Sequence, residues 1–71
     1  LHISPIDYLI RYRLQQAARM LQTTEKTVTE ISEAVGFRET AYFCRKFKKL
    51  YEVTPTQYRR NNAENRSKVK T

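Results

Sequence analysis

Apolar residues recur along this chain at helical spacing and almost nowhere at the alternation of a strand. Ile10, Leu14, Ala17, Ala18 and Leu21 follow one another at intervals of four, three, one and three, which is one face of an α-helix. Ser4 and Pro5 mark its start. A serine oxygen can accept from the unpaired first-turn amides, and proline at the first helical position lacks an N–H that would have no partner there. Asp7 falls at the third position, where its charge suits the helix dipole. The spacing predicts a long helix over about residues 5–22, followed by a polar connection at 23–26.

A second, short helix follows. Thr27 and Glu30 match a capping box, and Val28, Ile31 and Val35 form an apolar stripe with Ala34 beside it. Gly36 is expected to end this helix in the left-handed conformation, with Phe37 packed back over the last turn. A third helix is predicted over about residues 39–51. Counting about 100° per residue from Phe47 places Phe43, Leu50 and Tyr51 on its buried face. Arg38, Ala41, Tyr42, Arg45 and Lys49 fall on the far side, flanked by Lys46 and Lys48. Thr40 and Cys44 lie nearer the buried face. Thr54 and Pro55 open a last short helix carrying Tyr58, Arg59 and Arg60. Residues 61–71 show no apolar periodicity and are expected to form a mobile basic tail.

Composition agrees with an all-α chain, since one glycine and two prolines leave little turn chemistry for strands. At 71 residues this is one small domain or part of one. A core of that size supplies only about 3–5 kcal/mol. Cys44 is the only cysteine, so no disulfide can form within the chain, and a reducing compartment is expected. No apolar run approaches the roughly 18 residues of a membrane span. The opening LHISPID lacks the basic and apolar regions of a signal peptide. These features predict a soluble intracellular protein.

The net charge of +7 is unevenly placed. Residues 1–35 carry four Lys or Arg against four acidic residues, whereas residues 36–71 carry ten against three. The whole excess sits in the second half, which favours a polyanionic partner. The third helix concentrates it: Arg38, Arg45, Lys46, Lys48 and Lys49 face outward against Glu39 alone. A solvated face normally mixes signs in i, i+4 pairs. Two helices meeting at one glycine, the second apolar inside and basic outside, have the layout that puts a helix into a DNA groove. Phe43 and Phe47 belong to the core in this reading, and Cys44 is a filler near the packing seam. No nucleophile–base pair or phosphate-cradling glycine loop is present, and His2 has no second ligand in view. Enzymatic activity, cofactors and metals are therefore not expected.

One internal echo bears on organisation. LHISPIDY at 1–8 matches YEVTPTQY at 51–58 in an aliphatic residue, a hydroxyl cap, a proline and a tyrosine three residues on. If this is a repeat, residues 1–3 end an earlier helix-turn-helix unit.

The motifs Arg13-Leu14-x-x-Ala17-x-x-Met20-Leu21, Ile31-x-x-x-Val35-Gly36-Phe37, Tyr42-Phe43-x-x-x-Phe47-Lys48-Lys49 and Val53-Thr54-Pro55-x-x-Tyr58-Arg59 resemble the AraC/XylS family of bacterial transcription regulators. The resemblance runs from about Ile3 to Arg60. It implies two helix-turn-helix units joined by a long helix. Residues 4–24 would be the linking helix, 27–60 the second unit with homeodomain-like three-helix packing, and 61–71 the tail. It implies that residues 39–51 form the recognition helix in the major groove. Thr40, Ala41, Tyr42 and Arg45 would contact bases. Arg38, Lys46, Lys48, Lys49 and Arg59 would contact phosphates, with Arg60 in a similar role. The partner implied is double-stranded DNA in the bacterial cytoplasm, with RNA polymerase as a second. Arg38 stands where the family commonly has a small polar cap, and Glu52 where it commonly has glycine.

Two other functions fit parts of the pattern. A protein-interaction module would use Arg11, Gln15, Arg19 and Gln22, exposed on the linking helix. A basic surface helix on an anionic membrane would leave Phe43 and Phe47 facing lipid, yet Val28, Ile31 and Val35 offer them a partner inside the fold.

Overall fold

Four helices follow in order: α1 (Pro5–Thr23), α2 (Val28–Ala34), α3 (Thr40–Tyr51) and α4 (Pro55–Val69). The computed structural model describes residues 4–69, with side chains from residue 4 to residue 63. The assignment of residues 1–3 to the end of an earlier unit falls outside the described residues.

Local sequence sets three of the four helix starts. The Asp7 N–H donates to Ser4 Oγ at 3.0 Å. Thr27 and Glu30 form a reciprocal capping box, with bonds of 3.1 and 2.9 Å. A second box stands at α4, where the Gln57 N–H donates to Thr54 Oγ1 at 3.1 Å and the Thr54 N–H to Gln57 Oε1 at 3.0 Å. Each box satisfies two otherwise unpaired amides. α3 differs: Glu39 precedes it and makes no side-chain cap bond.

The turn between α2 and α3 sets the angle at which α3 leaves. The Phe37 N–H donates to the Ser32 carbonyl at 2.9 Å and the Gly36 N–H to the Glu33 carbonyl at 3.1 Å. This paired ending needs a left-handed residue between them, and Gly36 has φ 101°. Space is also tight here, so a side chain would have to push the Arg13 guanidinium aside. A Cβ on Gly36 would lie 3.0 Å from Arg13 Cζ, because Arg13 of α1 reaches across the turn and donates from Nη1 to the Gly36 carbonyl at 3.2 Å.

The core gathers where the helices cross. Leu14, Ala17, Ala18 and Leu21 of α1 are buried with Ile31, Val35 and Phe37 around α2, and with Phe43 and Phe47 of α3. The rings of Phe37 and Phe43 lie 5.2 Å apart, and those of Phe43 and Phe47 5.8 Å apart. Tyr58 of α4 meets Phe47 edge-on at 5.4 Å. α4 is tied to the end of α1 by polar contacts: Gln22 Nε2 donates to Tyr58 Oη at 2.8 Å, and Arg59 donates to the Leu21 and Thr24 carbonyls at 3.0 Å each.

Three details differ from the sequence expectation. Leu50, placed by helical counting on the buried face of α3, is 37% exposed. It lies at the α1 edge of that face, over a cleft beside Asp7 and Arg11. On α2, Ala34 is exposed and Ser32 is fully buried in its stead. The last helix continues past Arg60 to Val69. Residues 61–69 hold no glycine or proline to stop it, although they carry no apolar stripe.

α3 ends on Glu52, which adopts the left-handed conformation at φ 67° and donates its N–H to the Lys48 carbonyl at 2.7 Å. A residue with a Cβ there costs about 1–2 kcal/mol, partly offset by the greater freedom of glycine in the unfolded chain. Glu52→Gly is therefore expected to stabilise the domain by about 1 kcal/mol, raising the thermal midpoint by about 4–8 °C. Gly36→Ala is expected to lower that midpoint, since it meets both the positive φ and the Arg13 guanidinium. Thermal unfolding followed by circular dichroism checks both, and an unchanged midpoint for either would contradict the account of that turn.

Candidate nucleic-acid interface

Burying Phe43 and Phe47 turns the opposite side of α3 outward. Ala41, Arg45, Lys48 and Lys49 are exposed there, with Arg38 exposed just before the helix. The sequence expectation for these five positions matches their exposure. The remaining predicted site residues stand elsewhere.

Tyr42 lies on the flank of α3 that faces α1 and is half-buried. Its ring centroid is 6.0 Å from that of Phe37. The Arg45 guanidinium carbon lies 5.8 Å from the Tyr42 ring centroid and Lys46 Nζ lies 5.7 Å from it. Such cation–π contacts contribute about 0.5–1 kcal/mol each when exposed. They restrain Arg45 without occupying its N–H donors.

Thr40 lies on the other flank, toward α2. Its Oγ1 is 3.2 Å from Ser32 Oγ, and Ser32 Oγ donates to the Thr29 carbonyl at 3.0 Å. A serine hydroxyl has one proton to give, so Thr40 donates to Ser32. This bond joins the start of α3 to α2 and satisfies a fully buried hydroxyl. Ser32 was not singled out in the sequence. The available signal was its place next to Ile31 on the inward side of α2.

Arg59 is not brought to this surface. Its guanidinium is held by the last carbonyls of α1, in a cleft it shares with Gln22, Glu25 and Asn62. α1 has no basic residue in its own last turn, and Arg59 supplies from α4 the cation that suits a helix C-terminus. Nothing in the spacing of the sequence marks this contact.

Cys44 is half-buried beside Arg45, Lys48 and Thr54. Burial pushes its thiol above the ordinary range, despite the neighbouring cations. That is the reverse of what an oxidant-sensing thiolate needs. Among the described residues, no group of three or more His, Cys, Asp and Glu side chains could hold a metal ion, and no helix is long and apolar enough to cross a membrane.

The chain as a whole matches known proteins. The model of the helix-turn-helix domain family fits residues 1–61. The chain belongs to the AraC-type helix-turn-helix family. An uncharacterized HTH-type transcriptional regulator, YdeC of Bacillus subtilis, is 40% identical over 63 residues, which is 89% of this chain and 22% of that protein. The HTH-type transcriptional regulator MtrA of Neisseria gonorrhoeae is 36% identical over 62 residues, 87% of this chain and 21% of that protein. Among solved structures, the C-terminal domain of the two-component response regulator yesN from Fusobacterium nucleatum superimposes with a TM-score of 0.77 at 49% identity. The match covers 80% of this chain and 55% of that one. This chain thus spans about a fifth of the curated relatives named above. As an AraC-type helix-turn-helix domain, it has the sequence-specific DNA-binding function of a transcription regulator's output domain.

The raised thiol predicts slow chemistry at Cys44. Alkylation by a small reagent at neutral pH is expected to be slower than that of an unstructured cysteine peptide, and to speed up as pH rises through the alkaline range. A rate at pH 7 equal to or above the peptide's would contradict the burial argument.

Proposed function

We propose that α3 of this chain enters the major groove of duplex DNA and that Arg45 reads a base there. One observation carries the reading: burial of Phe43 and Phe47 leaves Ala41, Arg45, Lys48 and Lys49 as the exposed stripe of α3. An α-helix with its side chains is about 10–12 Å across, and the major groove is about 12 Å wide. Arg45 sits on the middle of that stripe, its donors unbonded among the described residues, which suits bidentate bonding to guanine O6 and N7. Ala41, one turn earlier, offers a methyl for contact with thymine. Lys48 and Lys49 bind phosphates and set register, with Lys46 on the α1 flank and Arg38 just before the helix.

Tyr42 and Thr40 act in this scheme through neighbours rather than on bases. Tyr42 seats Arg45, and Thr40 holds the start of α3 to Ser32. Arg59 orients α4 on α1 and contacts no phosphate. In a larger regulator, this domain would be the DNA-binding output in the bacterial cytoplasm. The exposed Ile6, Leu9 and Tyr12 at the start of α1 suit the earlier helix-turn-helix unit suggested by the echo between residues 1–8 and 51–58. RNA polymerase would then meet α1 through Gln15 and Arg19. Gln22 is less suited to that contact, because Tyr58 already binds it.

Selection from a randomised duplex pool, followed by affinity measurements, tests the assignment. Arg45→Ala is expected to lose about 1–3 kcal/mol on the enriched sequence and to relax preference at one base position. Lys48→Ala is expected to weaken enriched and unrelated duplexes alike. Unchanged preference in Arg45→Ala would remove Arg45 as the reader.

A further inference from the structure

The flank of α3 that carries Lys46 does not end at α3. It meets the first half of α1 across a cleft of about 270 Å³. Arg11 and Asp7 line the α1 side of this cleft, Lys46 and Lys49 line the α3 side, and Ile10 and Leu50 lie between them. Three cations against one carboxylate thus converge from two helices far apart in sequence. The sequence pattern had grouped Arg11 with the other exposed polar residues of α1.

We infer that Arg11 joins Lys46 and Lys49 in a seat for a backbone phosphate of the bound duplex, so that the DNA-contacting surface extends onto α1. The inference rests on the proposed insertion of α3. A helix that fills the groove turns one stripe toward the bases and both flanks toward the phosphate ridges. At 100° per residue, Lys46 lies a quarter turn or so from Arg45, on the α1 flank. A ridge on that side runs past the mouth of the cleft. Lys46 is half-buried and leans over the Tyr42 ring, whereas Arg11 is exposed. Arg11 therefore presents its guanidinium at the rim, where its planar fork matches two phosphate oxygens. Asp7 opposes an anion at the same rim and moderates the site. The other flank has its own rim of Lys48 and Thr54, so each ridge meets protein.

Salt dependence separates this role from a general charge effect, because each neutralised phosphate steepens the dependence of log K on log salt by about 0.9. The 71-residue chain would be titrated against a short labelled duplex of arbitrary sequence between about 50 and 200 mM salt. Arg11→Ala is expected to make the slope shallower, by at most about 0.9 because Lys46 and Lys49 share the phosphate, Arg11→Lys to keep most of it, and Asp7→Asn to tighten binding. Arg19→Ala removes the same charge from α1 two turns away, outside the cleft, and is expected to leave the slope unchanged. Equal slopes for Arg11→Ala and Arg19→Ala would overturn the inference. Were Lys48→Ala to reduce the slope while Arg11→Ala did not, only the α1 seat would fall. A wild-type slope near zero would bring down the groove insertion on which it rests.

Discussion

Phe43 and Phe47, four residues apart and both fully buried, fix the rotation of α3 about its axis. The set of residues that face outward follows from this pair. Phe37 packs against Phe43, and Tyr51 and Tyr58 pack against Phe47. The rings therefore bind the glycine turn, α3 and α4 into one unit. Removing either phenylalanine side chain costs about 3–5 kcal/mol, comparable with the whole stability expected of a core this small. α3 cannot turn a different face outward without unfolding the domain. The core and the exposed basic stripe are two sides of one helix, and packing of the first aims the second.

Charge is less evenly available than the total of +7 suggests. Arg13 donates to the Gly36 carbonyl and Arg59 to the Leu21 and Thr24 carbonyls. These two arginines hold backbone to backbone. Arg13 joins the middle of α1 to the turn before α3, and Arg59 joins the end of α1 to α4. Together they make α1 a strut that sets both the entry and the support of α3. Five of the remaining cations, Arg38, Arg45, Lys46, Lys48 and Lys49, lie on or just before α3, so local density rather than net charge describes that surface.

The legible and illegible parts of the sequence divide by range. Caps and faces depend on residues three or four apart, and Ser4, the Thr27–Glu30 box, the Gly36 stop and the outward Ala41 and Arg45 could all be read from spacing. Leu50 could not, because its exposure depends on how far α1 lies from that edge of α3. Arg59 could not either: its partners are carbonyls 38 and 35 residues earlier, and a backbone acceptor leaves no mark in the sequence. Ser32 shows the intermediate case. Its inward position on α2 follows from neighbouring Ile31, but its partner Thr40 belongs to the next helix. Residues 61–69 lack apolar periodicity, yet no glycine or proline interrupts them and α4 continues to Val69.

α3 is also the helix whose own ends support it least. α1, α2 and α4 each begin on a side-chain cap, whereas α3 begins on Glu39 with none and ends on a left-handed glutamate. Its place is held by the Phe43–Phe47 burial and by the Thr40–Ser32 bond instead. Local preference and tertiary packing agree on three helices and diverge on the one that carries the exposed basic stripe. Natural sequences tend to break local rules at functional elements, where another requirement acts on the same residues. Here the residues before and after α3 flank its exposed basic stripe, and the helix is secured from its inner face, the side that the proposed groove insertion would leave to the protein.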